Sequence, residues 1–338
     1  MFLLRLVEAW ATMETFLGAI LRLRAFEKNV QPEDKPGEDH QPPDMWPGRG
    51  AIQFDNLPAA HNPATLALKG LKISIESGKK VGVCGRTGSG KSSQLLSLLR
   101  LVEIESGSIR IDGFDVQKLS RNFIRSRIIT VQQGPMLVMT DTVRQNLDIA
   151  DSAVSDEDII RALKRVKLWS VLQSRVSSAE IAGSQAQKLD IAMGGGGSIT
   201  PHSAAKDPNT KVPRPDASAT ASLDIVIKSI PLSQGQQQLF SLARAILMRP
   251  TRGKVVLLDE ATSNVDEMTD KLMQRLIREE FKEHTILTIA HRLNTIMDSD
   301  VVLVLDSGRL VEVGAPSELA EREAGVFRTL YMTRSPDS

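Results

Sequence analysis

The strongest structural signal in the chain is the stretch Val81-Gly82-Val83-Cys84-Gly85-Arg86-Thr87-Gly88-Ser89-Gly90-Lys91-Ser92. Its apolar beginning predicts a short buried strand, and the apolar spacing from Lys91 to Leu101 predicts a helix. Between them lies the pattern G-x-x-x-x-G-K-[ST], whose glycines allow backbone N–H groups to point at phosphate oxygens. A glycine-rich surface turn would use similar residues, but the strand–loop–helix context favours a phosphate-binding loop.

Residues of this loop have separate predicted roles. Lys91 is placed to reach the β- and γ-phosphates of a nucleoside triphosphate, and the Ser92 hydroxyl to ligate Mg²⁺. The start of the helix adds free N–H groups and a dipole that favour an anion. The predicted nucleotide-binding residues are Gly85, Arg86, Thr87, Gly88, Ser89, Gly90, Lys91, Ser92 and Ser93.

A carboxylate pair follows a second buried strand. Val255–Leu258 is a continuous apolar run, as expected of a parallel strand covered on both faces. It ends in Asp259-Glu260, at the edge of the sheet where open α/β sheets place ligands. We predict that Asp259 helps to bind Mg²⁺ and that Glu260 acts as the general base for water. The pair could instead only cap the next turn, although the upstream loop makes this reading weaker.

Two further motifs complete an ordered set, Leu232-Ser233-Gln234-Gly235-Gln236 and His291. In this order the motifs resemble the nucleotide-binding domain of an ABC transporter, over about residues 51–330. The resemblance implies a P-loop NTPase of the α/β class, with a RecA-like core, an antiparallel β subdomain and an α-helical subdomain. Finer features resemble the second, C-terminal nucleotide-binding domain of multidrug-resistance-associated exporters of the C subfamily, especially fungal ones. These features are residues 81–88, 142–148 and 235–240.

The segment Leu232, Ser233, Gln234, Gly235, Gln236 resembles the signature motif of that family, with Gln234 in place of a glycine. Ser233 is a good N-cap for the apolar-periodic helix that follows, and such a helix start is a second anion site. The resemblance implies that it contacts the γ-phosphate held by a second nucleotide-binding domain, in a head-to-tail dimer around two ATP molecules. A plain helix cap fits the local sequence equally well.

The resemblance also assigns residues that local sequence would not. Gln133 is the Q-loop glutamine, a Mg²⁺ ligand that links the metal and the water to the membrane domain, although the usual Pro-Gln-Asp-Pro is here Gln132–Pro135 with a loosening Gly134. Residues 263–266 correspond to the D-loop, and His291 to the switch histidine that contacts the γ-phosphate. Without the resemblance, Gln133 would be part of an ordinary turn and His291 a surface histidine. His61 occupies the position of the adenine-stacking aromatic, where an imidazole offers less surface.

Domain organisation is predicted from composition, from pattern and from the resemblance. Residues 1–50 are predicted to be an amphipathic helix followed by an acidic, Pro-rich linker; by resemblance they include the end of a last transmembrane helix. Residues 51–338 are the predicted nucleotide-binding domain, with a helical subdomain at about 134–250. Residues 120–172 are predicted to be helical, with Ser155 as the N-cap of one helix. A Gly/Pro-rich insertion at about 174–221 is predicted to be disordered. Residues 285–289 predict a β-branched strand that ends shortly before His291. Residues 301–313 predict a hairpin, and residues 317–331 closing helices.

Composition excludes several classes of protein. The net charge of +1 over 338 residues gives no basic stripe for a nucleic acid, so we expect no such partner. The one cysteine, Cys84, excludes an internal disulfide and suits a reducing compartment. No apolar run reaches the roughly eighteen residues of a membrane span. By resemblance, the chain works with the transmembrane domains of a transporter at the cytoplasmic face of a membrane.

Several functions remain open at this stage. The preferred prediction is ATP binding and hydrolysis, with ATP and Mg²⁺ as cofactors, that powers export by a transporter. The alternatives are an ATP-binding regulatory module without productive turnover, a soluble ATPase that acts on nucleic acid or ribosomes, and a non-functional remnant of a truncated gene. The transported substrate would be chosen by helices outside this sequence.

Overall fold

A computed structural model describes residues 2–30, 33, 35–62, 65–104, 106–148, 154–175, 222–263, 265–290 and 293–334. Its strands are β1 (Ile52–Asn62), β2 (Thr65–Ile75), β3 (Lys80–Gly85), β4 (Glu103–Ile104), β5 (Ser108–Ile111), β6 (Phe114–Asp115), β7 (Ile129–Val131), β8 (Val255–Asp259), β9 (Thr285–Ile289), β10 (Val301–Asp306) and β11 (Arg309–Gly314).

The α-helices with defined bounds are α1 (Phe2–Asn29), α2 (Lys91–Leu98), α3 (Arg121–Arg127), α4 (Val143–Leu147), α5 (Asp156–Arg165), α6 (Gln234–Met248), α7 (Glu267–Glu280), α8 (Leu293–Ile296), α9 (Pro316–Glu321) and α10 (Val326–Arg334). Residues 169–175 are also helical, so the first two residues of the predicted disordered insertion are ordered. The rest of that insertion lies outside the described residues. Among the helices that the structure describes, none combines the length and the apolar character needed to cross a membrane.

The central sheet has six strands in the order β11-β10-β3-β9-β8-β7. All neighbouring pairs are parallel except the β10–β11 hairpin. The strands predicted at Val81–Cys84, Val255–Leu258 and Thr285–Ile289 are confirmed as β3, β8 and β9, and the predicted hairpin is confirmed as β10–β11. Because β3, β8 and β9 run in parallel, the segments that follow them all emerge at one edge of the sheet.

A second, antiparallel sheet has the order β2-β1-β5-β6, with β4 paired to β1. Its apolar side chains share a core with the face of the central sheet that carries Val83, Leu257 and Leu287. The opposite face of the central sheet packs under α5, α6 and α7, in a core that contains Leu163, Phe240 and Val256. The molecule therefore has a parallel core, an antiparallel sheet and a helical layer, as the sequence predicted.

Two predictions about helices are wrong. Residues 120–172 are not helical throughout, because Ile129–Val131 forms β7 and pairs in parallel with β8. The helix α1 is not amphipathic, because its apolar side chains are spread around its circumference and none of its residues is buried. The predicted helices after residue 155 and after Ser233 are confirmed as α5 and α6.

Part of the segment expected to be a linker packs against the domain. Trp46 is buried, donates from Nε1 to the carbonyl oxygen of Ile111 at 3.0 Å, and stacks on Phe123. Glu38 is also buried and accepts hydrogen bonds from Arg100 at 2.6 Å and Arg121 at 3.2 Å. Burial of these side chains ties the residues just before β1 to the antiparallel sheet and to α3.

Candidate functional site

The loop between β3 and α2 has the backbone shape that its glycines permit. Gly85 and Gly90 have φ angles of 152° and 97°. A Cβ atom on Gly85 would lie 2.2 Å from the carbonyl oxygen of Leu305, and one on Gly90 would lie 2.6 Å from that of Ala67. Both positions therefore require glycine for steric as well as conformational reasons. The result is a tight loop that ends directly at the N-terminus of α2.

Lys91, the first residue of α2, folds back over this loop. Its ammonium group donates to the carbonyl oxygens of Gly85 at 3.1 Å and Arg86 at 3.0 Å. Arg86, Thr87, Gly88 and Ser92 are exposed, whereas Ser89 and Ser93 are buried. A fixed cation beside a helix N-terminus and exposed loop amides is an arrangement suited to phosphate oxygens.

Asp259 ends β8 and lies close enough to the loop to interact with it. Burial raises the pKa of the Asp259 carboxyl group, the charge of Glu260 raises it further, and the charge of Lys91 lowers it. The fold thus brings together two motifs that are 168 positions apart in the sequence. A half-buried carboxylate that is costly to ionise is stabilised by a bound cation.

Glu260 lies in the turn after β8 in an unusual backbone conformation. Its φ angle is 48°, in the left-handed region, which typically costs a non-glycine residue about 1–3 kcal/mol. The turn is fixed because the Glu260 N–H group donates to Ile289 at 2.9 Å and its carbonyl oxygen accepts from the Ser263 N–H group at 3.0 Å. A cavity of about 10 Å³, roughly the space of one water molecule, adjoins Glu260 and Ser263.

Gln133 lies beyond β7, which is the neighbour of β8 in the sheet. Its side chain is exposed, and its Nε2 atom is 3.4 Å from the hydroxyl oxygen of Ser263. The loop that carries Gln133 therefore touches the turn that carries Glu260. This contact is long and correspondingly weak.

The start of α6 has the predicted cap. The hydroxyl oxygen of Ser233 accepts from the Gln236 N–H group at 3.3 Å, and the Gln236 side chain accepts from the Ser233 N–H group at 3.0 Å. Ser233 and Gln234 are exposed, and Gly235 and Gln236 are half-buried. A Cβ atom on Gly235 would contact Thr269 and Asp266 at 3.5–3.7 Å, so the signature segment lies beside the capped start of α7.

The structure does not describe the side chains of three predicted site residues. His291 and Asn264 lie outside the described residues. His61 belongs to the backbone of β1, but its side chain is outside the described part of the chain. Their roles stay predictions.

The donor atoms present fit Mg²⁺ bound together with a phosphate. Ser92 supplies a hydroxyl oxygen and Asp259 a carboxylate, which are the hard ligands that Mg²⁺ prefers. Among the described residues, no group of three or more His, Cys, Asp or Glu side chains could hold a metal ion. Mg²⁺ is commonly bound through one or two protein groups, with phosphates and water completing its shell.

Comparison with known proteins identifies the family. Residues 68–194 match the family model described as ABC transporter. This chain contains an ABC transporter nucleotide-binding domain. It is 43% identical over 326 residues to ABC multidrug transporter B of Aspergillus fumigatus, covering 96% of this chain and 19% of that protein. It is 38% identical over 328 residues to ABC transporter C family member 5 of Dictyostelium discoideum, covering 95% of this chain and 19% of that protein.

A solved structure supports the fold of the domain. A bacterial Atm1-family ABC exporter with ATP bound superposes with a TM-score of 0.71 at 23% identity, over 95% of this chain and 48% of that one. The predicted fold class, a P-loop NTPase with antiparallel and helical subdomains, is therefore confirmed. The chain spans about a fifth of the length of the curated relatives described above.

Sequence reasoning missed Gln238, which is buried in α6 and donates to the carbonyl oxygens of Gln132 and Gln133. The only available signal was a glutamine close to the apolar positions of a predicted helix. A polar side chain at such a position must find a hydrogen-bond partner, but the pattern does not say which.

Proposed function

We propose that this ABC transporter domain binds and hydrolyses ATP with Mg²⁺, and that hydrolysis powers export across a membrane. The observation that carries the proposal is that parallel pairing of β3 and β8 with β9 places the Lys91 loop and Asp259 at one edge of the sheet, where the charge of Lys91 lowers the pKa of Asp259. A phosphate-binding lysine and a half-buried carboxylate at the carboxyl edge of a parallel sheet are the two charges that a magnesium-bound triphosphate requires.

The residues divide the work of hydrolysis between them. Lys91 and the loop from Gly85 to Gly90 would hold and orient the phosphates, while Ser92, Gln133 and Asp259 would hold Mg²⁺. The bound ion supplies charge neutralisation at the phosphate oxygens. Glu260 accepts the proton of the attacking water, and the Gln133 and His291 side chains orient the water and the terminal phosphate.

The same proposal assigns the partners. The exposed start of α6, from Leu232 to Gln236, faces the nucleotide of a second nucleotide-binding domain in a head-to-tail dimer, and the transmembrane domains of an exporter join at the cytoplasmic face. We assign the chain to the C-terminal half of a C-subfamily, multidrug-resistance-associated exporter. This assignment is supported by residues 81–88, 142–148 and 235–240 and by the similarity to a C family member. His61 remains our proposed adenine contact.

The test separates nucleotide binding from hydrolysis. Glu260→Gln keeps the shape of the side chain but removes the base, so we expect Mg·ATP affinity to persist while phosphate release falls by about 10²–10⁴-fold. Lys91→Ala should weaken binding itself. Glu323→Gln, on an exposed glutamate far along the chain, is the matched control and should leave both quantities unchanged. The assays should be run with the complementary domain supplied, and undiminished turnover in Glu260→Gln would exclude this residue as the base.

A regulatory domain that holds ATP without productive turnover is the second candidate. The observation that favours it is the loose Gln133 loop, in which the contact to Ser263 is 3.4 Å long and a Cβ atom on Gly134 would meet nothing within 4 Å beyond its chain neighbours. Steady-state phosphate release at saturating ATP decides between the two functions. Tight binding with release no faster than that of the Glu260→Gln variant would favour regulation.

A further inference from the structure

Gln238 connects two parts of the site that the sequence separates by more than 100 residues. It lies on α6 two residues after the end of the signature segment and is 1% exposed. Its Nε2 atom donates to the carbonyl oxygen of Gln133 and, at 3.4 Å, to that of Gln132. Because both neighbours are carbonyl oxygens, the amide must present its NH₂ group to them. Its Oε1 atom is buried without a hydrogen-bond partner among the described residues.

Arg244 provides a second connection from the same helix. Its guanidinium group donates to the carbonyl oxygens of Met136 at 3.0 Å and Asn146 at 2.8 Å. Burial lowers the pKa of Arg244 to about 10. Two side chains of α6 thus hold the main chain at both ends of the segment 132–136, here called the Gln133 loop.

The middle of the Gln133 loop is loosely packed between these two points. A Cβ atom on Gly134 would meet nothing within 4 Å beyond its chain neighbours. A cavity of about 150 Å³ lies against the loop and is lined by Gln132, Gly134, Met136, Ser241 and Arg244, among other residues. The loop is therefore set in position by its attachments to α6 rather than by close packing.

We propose that Gln238 is a positioning residue that makes the Gln133 loop move together with the helix whose start faces the second domain. The proposal rests on the proposed function, because it assumes that Gln133 serves ATP hydrolysis and that the signature segment meets the partner's nucleotide. The α6 helix is continuous from Gln234 to Met248, so a displacement of its start is carried to the Gln133 carbonyl group. The Gln133 side chain in turn contacts Ser263, in the turn that carries Glu260.

The first test does not depend on enzymatic activity. Gln238→Met keeps the length of the side chain and removes the donor, so hydrogen exchange of the amides of residues 132–134 and 136 should become at least several-fold faster. Gln237→Met is the matched control, because the Gln237 amide donates to Leu232 within the same helix start at 3.0 Å. Equal exchange in the two variants would overturn the proposal. If Gln238→Met does not fold, Gln238→Glu serves, because its carboxyl group can donate only while protonated. Exchange of these amides in Gln238→Glu should then become faster than in Gln237→Glu as pH rises, and equal exchange in the two variants at every pH would overturn the proposal.

The second test measures catalysis. Gln238→Met should lower kcat about tenfold with little change in the KM for ATP, because the hydrogen bonds of Gln238 go to the Gln133 loop. In a Gln133→Ala background the same change should have no further effect, since both act through one loop. A rise in KM alone, or multiplicative losses in the double variant, would contradict a positioning role. Absence of turnover in the unmodified chain would contradict the proposed function. The exchange measurement would still show whether Gln238 holds the Gln133 loop.

Discussion

The side chain of Gln94 is a weak point in the core of the nucleotide-binding domain. It lies on α2, is fully buried, and has no hydrogen-bond partner for either amide atom among the described residues. A buried unsatisfied amide costs about 1–3 kcal/mol. We expect Gln94→Leu, which preserves the volume, to raise the free energy of unfolding by about that amount. Urea unfolding measures it, with Gln117→Leu at a half-buried site as the control; equal or lower stability of Gln94→Leu would show that the amide is satisfied.

His284 should make stability depend on pH. The ring is buried against the edge of Phe281, and burial, with the charges of Arg249, Lys254 and Lys80, lowers its pKa from 6.5 to about 4. Between about pH 6.5 and pH 4 the His284 ring is therefore protonated in the unfolded chain but neutral in the folded chain. Folding stability falls across this window as pH decreases. Above pH 6.5 the His284 ring is neutral in both the folded and the unfolded chain, so it no longer makes stability depend on pH.

The comparison with His284→Gln isolates this effect. The variant cannot titrate there, so the difference in unfolding free energy between the two proteins should change by about 2 kcal/mol between pH 7 and pH 5. Urea unfolding at several pH values measures the difference. Parallel pH profiles for the unmodified chain and the variant would show that the ring is not held neutral in the fold.

At the scale of elements, the residues before β1 are part of the folded unit. Trp46 is 2% exposed, whereas its neighbour Met45 is 75% exposed. Trp46→Ala should cost about 3–5 kcal/mol of stability through lost packing, and Met45→Ala should change it by no more than about 0.5 kcal/mol. Thermal or urea unfolding compares them. Similar stability of the two variants would show that the folded domain begins at about residue 51, as predicted from the sequence.

Elements with a strong local pattern could be predicted from sequence, and elements defined by distant contacts could not. The runs at Val81, Val255 and Thr285 are apolar or β-branched over strand length, which identified three parallel strands. The three residues of β7 are too short for such a signal and become a strand only by pairing with β8. Trp46, among prolines and charges, has no periodic neighbours that would reveal its burial.

The same distinction applies to the site. The phosphate loop, the carboxylate pair and the cap of α6 are each contained in a few consecutive residues, so their chemistry was predictable. The Gln238 contact joins α6 to a loop about 100 residues earlier in the chain, and its existence depends on how the helical layer packs on the sheet. Single-sequence patterns carry no information about such a pairing.

At the scale of the whole molecule, α1 gives the chain an extended apolar surface, and the net charge of the chain is too small to keep copies apart. The large apolar side chains of α1 are all at least 46% exposed, namely Phe2, Leu3, Leu4, Leu6, Val7, Trp10, Met13, Phe16, Leu17, Ile20, Leu21, Leu23 and Phe26. The formal net charge is only +1, so electrostatic repulsion between copies is small. Extended apolar surfaces of this kind drive association with other apolar surfaces.

We therefore expect the purified chain to self-associate in aqueous buffer through α1. A variant that lacks residues 2–29 should behave as a smaller species in light scattering, and mild detergent should have the same effect on the unmodified chain. Mg·ATP affinity should stay the same in both, because the loop around Lys91 belongs to a different layer of the molecule. An unchanged molar mass after removal of α1 would mean that copies associate through another face, for which the exposed start of α6 is the next candidate.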